Sequence, residues 1–470
     1  MSFCIPHSLS SRFTTIVRSY AQDEGLPFAT VLTEAQIQRA ADEEGVAFGT
    51  GANAVYTPAV TLWGFVGQVL AGHQSCVAAV ARIIVLLTAL GRPPCSAATG
   101  AYCQARAKLP EKFLRRLTYQ VGAELEDQAP AHWRWHNRRV VVVDGTDLIA
   151  SDTPANQRAY PQPRSQRPGL GFPMIRLVVL LTFATAALVG AAFGPFAGKE
   201  TGESALLRQL FEQLRQGDVV VADRYHCSYF AIALLLQRGV DVALRLHHRR
   251  KYDFRRGRRL GHHDHVVAWQ RPARPKWMDE ATYATIPETL TVREVRFSVV
   301  NPGCRSRAII VATTLLDDHA YSKDDIADLY HQRWHAELDL RSLKQTLGMD
   351  VLVCKTAAMV RKELWAHLLG YNLARKVAAQ AAWAHGLRPR QISFAGTVQT
   401  LAAFATLLLA AESERWRQVC HNLLAAIATH RVGDRPGRVE PRRLKRRCDK
   451  YPMLHRPRAE ARAELLDGVE

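Results

Sequence analysis

Four residues about two-thirds of the way along the chain combine one carboxylate with three groups that can bind phosphate. They follow the spacing Y-x2-R-x3-E-x6-K: Tyr330, Arg333, Glu337 and Lys344. On a single helix that turns about 100° per residue, these side chains fall on one face. The spacing therefore predicts a helix on which Glu337 lies among hydroxyl and cationic groups, within reach of a metal ion.

A helix over this segment is supported at its start and along its buried side. Ser322 and Asp325 have the spacing of a capping box. Apolar residues recur at intervals of three and four and predict a separate buried stripe: Leu329, Ala336, Leu340, Leu343 and Leu347. Taken alone, the pattern favours an ordinary amphipathic helix with a solvated charged face. Two segments upstream favour a catalytic role for this helix instead.

Each upstream segment is an apolar run followed by an aspartate. Residues 140–143 are four valines, and Asp144 with Gly145 marks the predicted end of that strand. Residues 219–222 form a second apolar run, which ends at Asp223. Three carboxylates from separate elements can hold two hard divalent cations, with phosphate oxygens and water as the other ligands. A single acid at a strand end more often caps a helix or lies in a turn, so the prediction depends on all three.

The order and spacing of these residues resemble a known family. Asp144, Asp223 and Glu337 are similar to the D-D-E triad of cut-and-paste transposases with an RNase H-like core. The Y-R-E-K spacing resembles that of the fourth insertion-sequence family of bacterial transposases, over residues 135–380. The resemblance implies that Asp144 bridges two Mg²⁺ ions, for which Mn²⁺ can substitute, and that Asp223 and Glu337 each complete one metal site. It also implies DNA-phosphate binding by the rest of the signature: Tyr330, Arg333 and Lys344.

Composition indicates a polyanionic partner and a reducing compartment. The 470 residues include 62 Lys and Arg against 43 Asp and Glu, which gives a formal charge of +19. Nucleic acid and an anionic membrane surface both suit this charge. Nine scattered cysteines without a C-x2-C pair argue against a disulfide scaffold or a zinc finger. The N-terminus lacks a signal-peptide pattern, so we expect a bacterial cytoplasmic protein that acts at the nucleoid or a plasmid.

One charge-free stretch, from Leu177 to Gly198, is long enough to span a bilayer. It is rich in Ala and Gly and lies between the two aspartates. A buried hairpin over residues 175–182 and 186–193 explains it better, and we expect no membrane partner.

The apolar patterns predict an α/β protein: an RNase H-like catalytic core interrupted by a β insertion, with helical N-terminal and C-terminal domains. Three strands, a helix near residues 204–216 and a further strand provide the order that an RNase H-like sheet requires. We expect a helical DNA-end-binding domain over residues 1–130 and the first part of the core over 131–247. A basic β-rich insertion follows over 248–308, and the second part of the core over 309–395. A helical C-terminal region with a basic tail completes the chain over 396–470.

The insertion begins with a dense group of cations that can follow a DNA backbone. We predict a phosphate-binding loop, although a merely solvated loop also fits. Two alternating strands, at residues 289–300 and 308–314, follow it. Residues 431–447 resemble a disordered arm that touches DNA. The insertion cations are Arg249, Arg250, Lys251, Arg255, Arg256, Arg258 and Arg259.

Several other groups are expected to have no catalytic role. His331 and His335 have the spacing of a helical zinc pair, but Gln332 replaces the glutamate of H-E-x-x-H. Residues 262–265 (His-His-Asp-His) are expected to form a solvated loop. Asp147 is expected to cap the turn after the first aspartate's strand.

One departure from the family concerns cleavage through a DNA hairpin. Relatives that use this route stack a flipped base on an aromatic residue late in the insertion. Ile309 stands at the corresponding position and cannot stack in this way. Trp269 and Trp277 lie in the same insertion and are candidates to replace it.

These features together favour a DNA transposase that nicks DNA at terminal inverted repeats and joins the freed 3′-hydroxyl to target DNA. The expected partners are the double-stranded transposon ends, the target DNA and a second subunit, as a homodimer paired on the ends. Two alternatives are an RNase H-like nuclease without strand transfer and a DNA-binding relative that has lost catalysis. The intact triad argues against the second, and the helical N-terminal module and basic tail argue against the first.

Overall fold

The computed structural model describes the following parts of the chain: residues 31–51, 54–71, 74–89, 91–298, 308–410, 413–433 and 453–467. The first residues of the chain and most of the predicted basic arm at 431–447 lie outside these ranges. The described part is a mixed α/β protein in which helices surround a ten-stranded sheet. This agrees with the α/β class predicted from the sequence.

Helices occupy the N-terminal part, as the 3/4 apolar spacing predicted. Thr33 caps the first of them in a capping box with Gln36, and Thr57 followed by Pro58 starts the second. In chain order they are α1 (Glu34–Glu43), α2 (Pro58–Leu70), α3 (Cys76–Ala89), α4 (Gly100–Lys108) and α5 (Glu111–Asp127).

The sheet begins with five strands in the spatial order β3-β2-β1-β4-β5. β2 and β3 form an antiparallel hairpin beside β1, whereas β4 and β5 run parallel to β1. The charge-free stretch therefore forms the predicted buried hairpin. Among the described residues, no helix has the length and hydropathy needed to cross a membrane. The strands are β1 (Val140–Ala150), β2 (Met174–Thr182), β3 (Leu188–Pro195), β4 (Val219–Ala222) and β5 (Asp241–Arg245).

β1 is longer than the sequence predicted. The expected end at Asp144 is wrong, because β2 pairs with β1 from Val141 through Ile149. On its other side, β1 pairs with β4 only as far as Val142. A short strand, β10 (Val351–Leu352), takes up that side again from Ile149. On the side of β1 that faces β4 and β10, residues 143–148 therefore have no strand paired with them, whereas β2 pairs with them on the opposite side.

The insertion adds its strands to the same sheet, in the order β5-β9-β8-β7-β6. The expectation of a solvated loop at 262–265 is wrong for its last two residues, which are buried. Asp264 is paired with Arg293, and His265 bonds to Glu294. The strands are β6 (Arg258–Gly261), β7 (Asp264–Gln270), β8 (Thr289–Ser298) and β9 (Ala308–Thr313).

The remaining helices cover the sheet and form the C-terminal part. The single helix predicted near 204–216 is split into a short helix and a 3₁₀ turn at Phe211–Gln213. The longest helix is buried along most of its length against α5 and α2. These helices are α6 (Pro154–Ala159), α7 (Glu203–Arg208), α8 (Tyr229–Leu236), α9 (Glu280–Thr285), α10 (Lys323–His331), α11 (Trp334–Arg341), α12 (Ala357–Ala384), α13 (Phe394–Ala410), α14 (Ser413–Thr429) and α15 (Arg458–Asp467).

Candidate active site

The two aspartates project from neighbouring parallel strands at matching positions. Val142 of β1 is the partner of Val221 of β4, and each aspartate follows two residues later. Asp144 accepts a hydrogen bond from the Gly145 amide at 3.0 Å. Asp223 accepts one from the Tyr225 amide at 2.9 Å. The strand register therefore brings both carboxylates to the place where β4 ends and β1 continues, paired only with β2.

Glu337 of α11 completes a group of three acids around one cavity of about 540 Å³. The sequence-predicted triad is thus brought together. The other residues that line this cavity are a glycine, two tyrosines and three arginines: Gly145, Arg224, Tyr225, Arg245, Tyr330 and Arg333.

The electrostatics of Asp144 reflect this grouping. Burial raises the pKa of Asp144 to about 6, and the charges of Glu337 and Asp223 act in the same direction. The Gly145 amide and the charge of Arg333 oppose the shift. A half-buried carboxyl beside two other carboxylates stabilises any cation that enters the cavity.

Arg333 and Tyr330 lie against the acids on the α10–α11 side. The Arg333 guanidinium is 2.5 Å from Glu337 Oε1 and forms an ion pair with it. Tyr330 is buried, and burial raises its pKa to about 12, so its hydroxyl keeps its proton and can donate to an anion. Both residues therefore lie beside the acids, and their phosphate-binding role stays a prediction.

Lys344 lies on the open side of β1. Its ammonium donates to the Thr146 hydroxyl at 3.2 Å and to the Asp147 carbonyl at 3.1 Å. It lines a second cavity, of about 520 Å³, that shares Asp144 and Glu337 with the first. The Lys344 ammonium satisfies one β1 carbonyl that has no partner strand beside it.

The prediction of one continuous signature helix is wrong, although its capping box and its buried stripe are both confirmed. α10 ends at His331 and α11 begins at Trp334, and the bond from the Arg333 amide to the Tyr330 carbonyl spans only three residues. After α11 the backbone widens into a π-helical turn, Ser342–Thr346. Tightening at one end and widening at the other change the angular positions of the four side chains. Tyr330 and Lys344 accordingly line different cavities.

The donor chemistry fits a hard divalent cation, because three carboxylates meet in a cavity that burial and mutual repulsion make favourable for positive charge. As the side chains stand, however, no group of three or more His, Cys, Asp or Glu residues in the described ranges is close enough to hold a metal ion. The Glu337 carboxylate is engaged by Arg333 instead.

The seven insertion cations do not form one loop. Arg250 is half-buried, with its guanidinium 3.7 Å from the Trp269 ring centre, so it is not simply solvated, and its phosphate-binding role stays a prediction. The Arg255 and Arg256 side chains are 91% and 84% exposed beside Asp253. Arg258 and Arg259 lie on β6 and are exposed. Arg249 and Lys251 are also exposed.

The two tryptophans of the insertion differ in their exposure. Trp269 is buried, and its indole donates to Glu294 at 2.9 Å. Trp277 is covered by the guanidinium of Arg208, 3.8 Å from the ring centre. The suggestion that Trp269 replaces an aromatic at Ile309 is therefore wrong, whereas for Trp277, which is 36% exposed, it stays a prediction. Ile309 itself pairs across the strands with Phe297.

Sequence reasoning missed Glu203, a fourth acid near the site. A Cβ built at Gly145 would lie 2.9 Å from Glu203 Oε1, so the glycine is what admits this carboxylate. Burial and the charges of Asp223 and Asp147 raise the pKa of Glu203, while Arg176 opposes them. The glycine after the first aspartate was the available signal. Asp147 does not cap a turn, because it lies within β1 and pairs with Arg176 at 3.2 Å.

A buried ion network supports α11 from behind. Asp339, two residues after Glu337, is 1% exposed and is paired with arginines on the other side of α11. It accepts from Arg375 of α12 at 2.6 Å and from Arg390 at 2.9 Å. Arg390 also donates to the Thr182 carbonyl at the β2–β3 turn. The network ties α11 both to the C-terminal helices and to the sheet.

Comparison with known proteins identifies a family. A family model described as Transposase DDE domain matches residues 135–373, just over half of the chain. The transposase InsG for insertion sequence element IS4, from Escherichia coli (strain K12), is 28% identical over 402 residues, which cover 83% of this chain and 86% of that protein. A cryo-EM structure of a piggyBac transposase synaptic complex with hairpin DNA matches 91% of this chain and 86% of its own, at 12% identity and a TM-score of 0.41.

Proposed function

We propose, on the premise that this chain belongs to the Transposase DDE domain family and is a DNA transposase, that Asp144, Asp223 and Glu337 are its catalytic residues and hold two Mg²⁺ ions. The observation that carries the proposal is the shared cavity of the three acids, with two of them at matching positions on parallel strands. Mn²⁺ is expected to substitute, since it also prefers oxygen ligands.

The metals, when bound, lower the pKa of the attacking water or 3′-hydroxyl and stabilise charge on the entering and leaving oxygens. The chain's own residues supply the ligands and the position. The charges of both Asp223 and Glu337 act on Asp144, and the three carboxylates together would hold the ions. Glu337 becomes available when its ion pair with Arg333 opens.

DNA phosphate is the group that we expect to open this ion pair. Arg333 exchanges the Glu337 carboxylate for a phosphate oxygen, which keeps a charge-assisted hydrogen bond on both sides of the exchange. The Tyr330 hydroxyl, protonated at neutral pH, donates to the same backbone. Lys344 holds the next phosphate along the open side of β1. Nicking at the terminal inverted repeats and strand transfer to target DNA then use one site.

Further features of the proposal concern architecture and partners. The strand order β3-β2-β1-β4-β5, with β2 antiparallel to its neighbours, supports an RNase H-like core interrupted by the β insertion. The five predicted domain divisions stand as proposals, as does DNA-end binding by the N-terminal helices. The charge of +19 supports a DNA partner, and the scattered cysteines suit the bacterial cytoplasm. We also propose that two copies pair on the transposon ends.

The test compares DNA binding and cleavage on one labelled transposon end, for Asp144→Asn and Glu337→Gln. Each amide preserves shape but removes a charge that a hard cation requires, so both variants should bind the end and fail to nick it in Mg²⁺ or Mn²⁺. Asp324→Asn, an exposed acid on α10, is the matched control and should cut normally. Normal cleavage by Asp144→Asn would refute the assignment.

The same substrate separates the two other functions. Nicking by the wild-type protein without joining to target DNA would indicate a nuclease. Binding without any nicking by the wild-type protein would indicate a relative that has lost catalysis.

A further inference from the structure

A third cavity continues the line of the first two along β1. The cavity around the acids and the cavity beside Lys344 share Asp144, and the second reaches Ile149 near the end of the strand. The third, of about 480 Å³, begins at Asp152, just past that end. Its opposite wall is the segment that joins α6 to β2, residues 161–173, here called the 161–173 loop. The first two cavities therefore lie along β1, and the third begins just past the end of that strand, beyond the residues that pair with β10.

The 161–173 loop is exposed but internally braced. Gln162 uses its full hydrogen-bonding capacity on the loop's own backbone: its carbonyl accepts from Gly169 and Gly171, and its amide donates to the carbonyls of Gln166 and Arg167. Gln157 of α6 braces it from below, donating to the Gly171 carbonyl at 2.9 Å. A loop fixed in this way loses little conformational entropy when a ligand binds.

Its braced backbone presents cations and one aromatic ring to solvent. Arg164 and Arg167 are exposed, and within the described ranges neither makes an ion pair. Phe172 is 55% exposed between the buried Gly171 and Pro173. Arginines beside an exposed aromatic residue are typical of nucleic-acid surfaces. The one acid of this cavity, Asp152, accepts a hydrogen bond from Gln157.

The length of β1 sets the distance between the acids and this loop. Ala150, the last residue of β1, lies six positions after Asp144, which corresponds to about 20 Å of strand. B-form DNA rises about 3.4 Å per base pair, so the same distance corresponds to about six base pairs. Lys344 and Arg341 line the cavity between them. Cations are thus available at both ends and in the middle of the path.

We propose that DNA bound at the three acids runs along β1 to the 161–173 loop, where Arg164 and Arg167 bind backbone phosphates and Phe172 contacts the duplex about six base pairs from the scissile phosphate. This inference rests on the proposed function only for the position of the cut. The 161–173 loop is a second DNA-binding surface, distinct from the insertion cations.

The experiment measures binding by the full chain, in a chelator so that no cleavage occurs, to duplexes that carry the end of the element encoding it. One duplex extends about 12 base pairs on both sides of the scissile phosphate, and two others are cut back to about 3 base pairs on one side or the other. The Arg164→Ala/Arg167→Ala variant should bind the long duplex at least about tenfold more weakly than wild type. Its slope of log K against log salt should be shallower by about 1.8, because two phosphates are no longer neutralised.

The truncated duplexes test the geometry. On the duplex that no longer reaches the loop, variant and wild type should bind equally, whereas on the other duplex the difference should persist. Phe172→Ala should weaken binding to the same duplexes on which the double arginine variant binds more weakly than wild type. Phe172→Tyr, which keeps an aromatic ring, should bind these duplexes like wild type. The matched control, Arg255→Ala/Arg256→Ala, removes two equally exposed cations of the insertion and should not follow this pattern of truncation.

Two results would overturn the proposal: an unchanged affinity and salt slope for the loop variant, or a loss that is the same on both truncated duplexes. The loop also lies against the C-terminal segment, since a Cβ built at Gly169 would lie 3.0 Å from Pro457. A loop variant with a lower unfolding temperature but unchanged DNA binding would show a role in docking that segment and would also overturn the proposal. Because binding is measured without cleavage, normal nicking by Asp144→Asn would refute the proposed function and leave this result intact.

Discussion

Replacing Asp144 with asparagine should stabilise the metal-free protein at neutral pH while it abolishes cleavage. The carboxylate is half-buried beside Glu337 and Asp223, and its ionised form is therefore disfavoured in the folded state. Asparagine has the same shape and can still accept the hydrogen bond from the Gly145 amide. The substitution removes the charge and leaves the geometry.

The size of the effect follows from the raised pKa. The folded-state value is about 6, against 3.8 for an unperturbed aspartate. Because the folded pKa is the higher one, the folded state binds more protons between these values, and stability falls as pH rises through them. At about 1.4 kcal/mol per pH unit, the ionised carboxylate should destabilise the apo protein by up to about 3 kcal/mol at pH 7 and by about 1 kcal/mol at pH 4.5.

The assay is denaturant unfolding in a chelator at these two pH values. Asp144→Asn should unfold at a higher denaturant concentration than wild type at pH 7, and most of this gain should disappear at pH 4.5. Added Mn²⁺ should stabilise the wild type and not the variant, because only the wild type retains the ligand. Asp147→Asn is the control on the same strand, and it should give no gain because it breaks the ion pair with Arg176. A variant no more stable than wild type at pH 7 would refute the argument.

Three other perturbations have defined outcomes. Asp339→Ala should lower stability by about 3–5 kcal/mol in thermal or denaturant unfolding, since Arg375 and Arg390 would lose their buried counter-charge; an unchanged midpoint would mean that the network adds nothing. Lys344→Ala should reduce the nicking rate by about 100-fold in a single-turnover assay, because the scissile strand is misplaced when this lysine no longer holds its phosphate; a normal rate would remove Lys344 from the site. Neutralising the exposed insertion cations Arg255, Arg256, Arg258 and Arg259 together should make the slope of log K against log salt for DNA binding shallower, by up to about 0.9 for each phosphate that is no longer bound. An unchanged slope would show that these side chains are merely solvated.

The sequence predicted the position of Asp223 better than that of Asp144. β4 has only its four apolar residues, and the strand ends where the apolar run ends. β1 continues through Asp144, Gly145 and Asp147, which are not typical strand residues, because this part of the strand is held by pairing with β2. That pairing joins residues about 30 positions apart, and no local pattern in β1 reports it.

The insertion shows the same limit for buried charge. His265 and Glu294 are both buried, and they bond to each other across β7 and β8. Glu294 also accepts from the Trp269 indole, and Arg250 covers that ring. From the sequence, His265 is expected in a solvated loop and Arg250 in a solvated or phosphate-binding loop. Only the strand register provides each of them with a partner, and burial of charge is tolerable only when partners are present.

The signature segment adds a local reason for error. An ideal helix places residues three, four and seven apart on one face, but the backbone tightens at Arg333 and widens at Ser342–Thr346. The capping box and the apolar stripe survive these changes because they depend on short intervals within each piece. The relative positions of Tyr330 and Lys344 span both irregularities, and the ideal-helix prediction therefore fails for that pair.

The acids also explain why the segment is anchored so firmly on its far side. Glu337 faces two aspartates, and repulsion among the three tends to push α11 away from β1. Arg333 offsets part of this repulsion in the absence of metal. Asp339, on the opposite side of α11, is held by Arg375, and by Arg390 through the β2–β3 turn. The buried network opposes this repulsion and so helps to keep Glu337 beside the two aspartates.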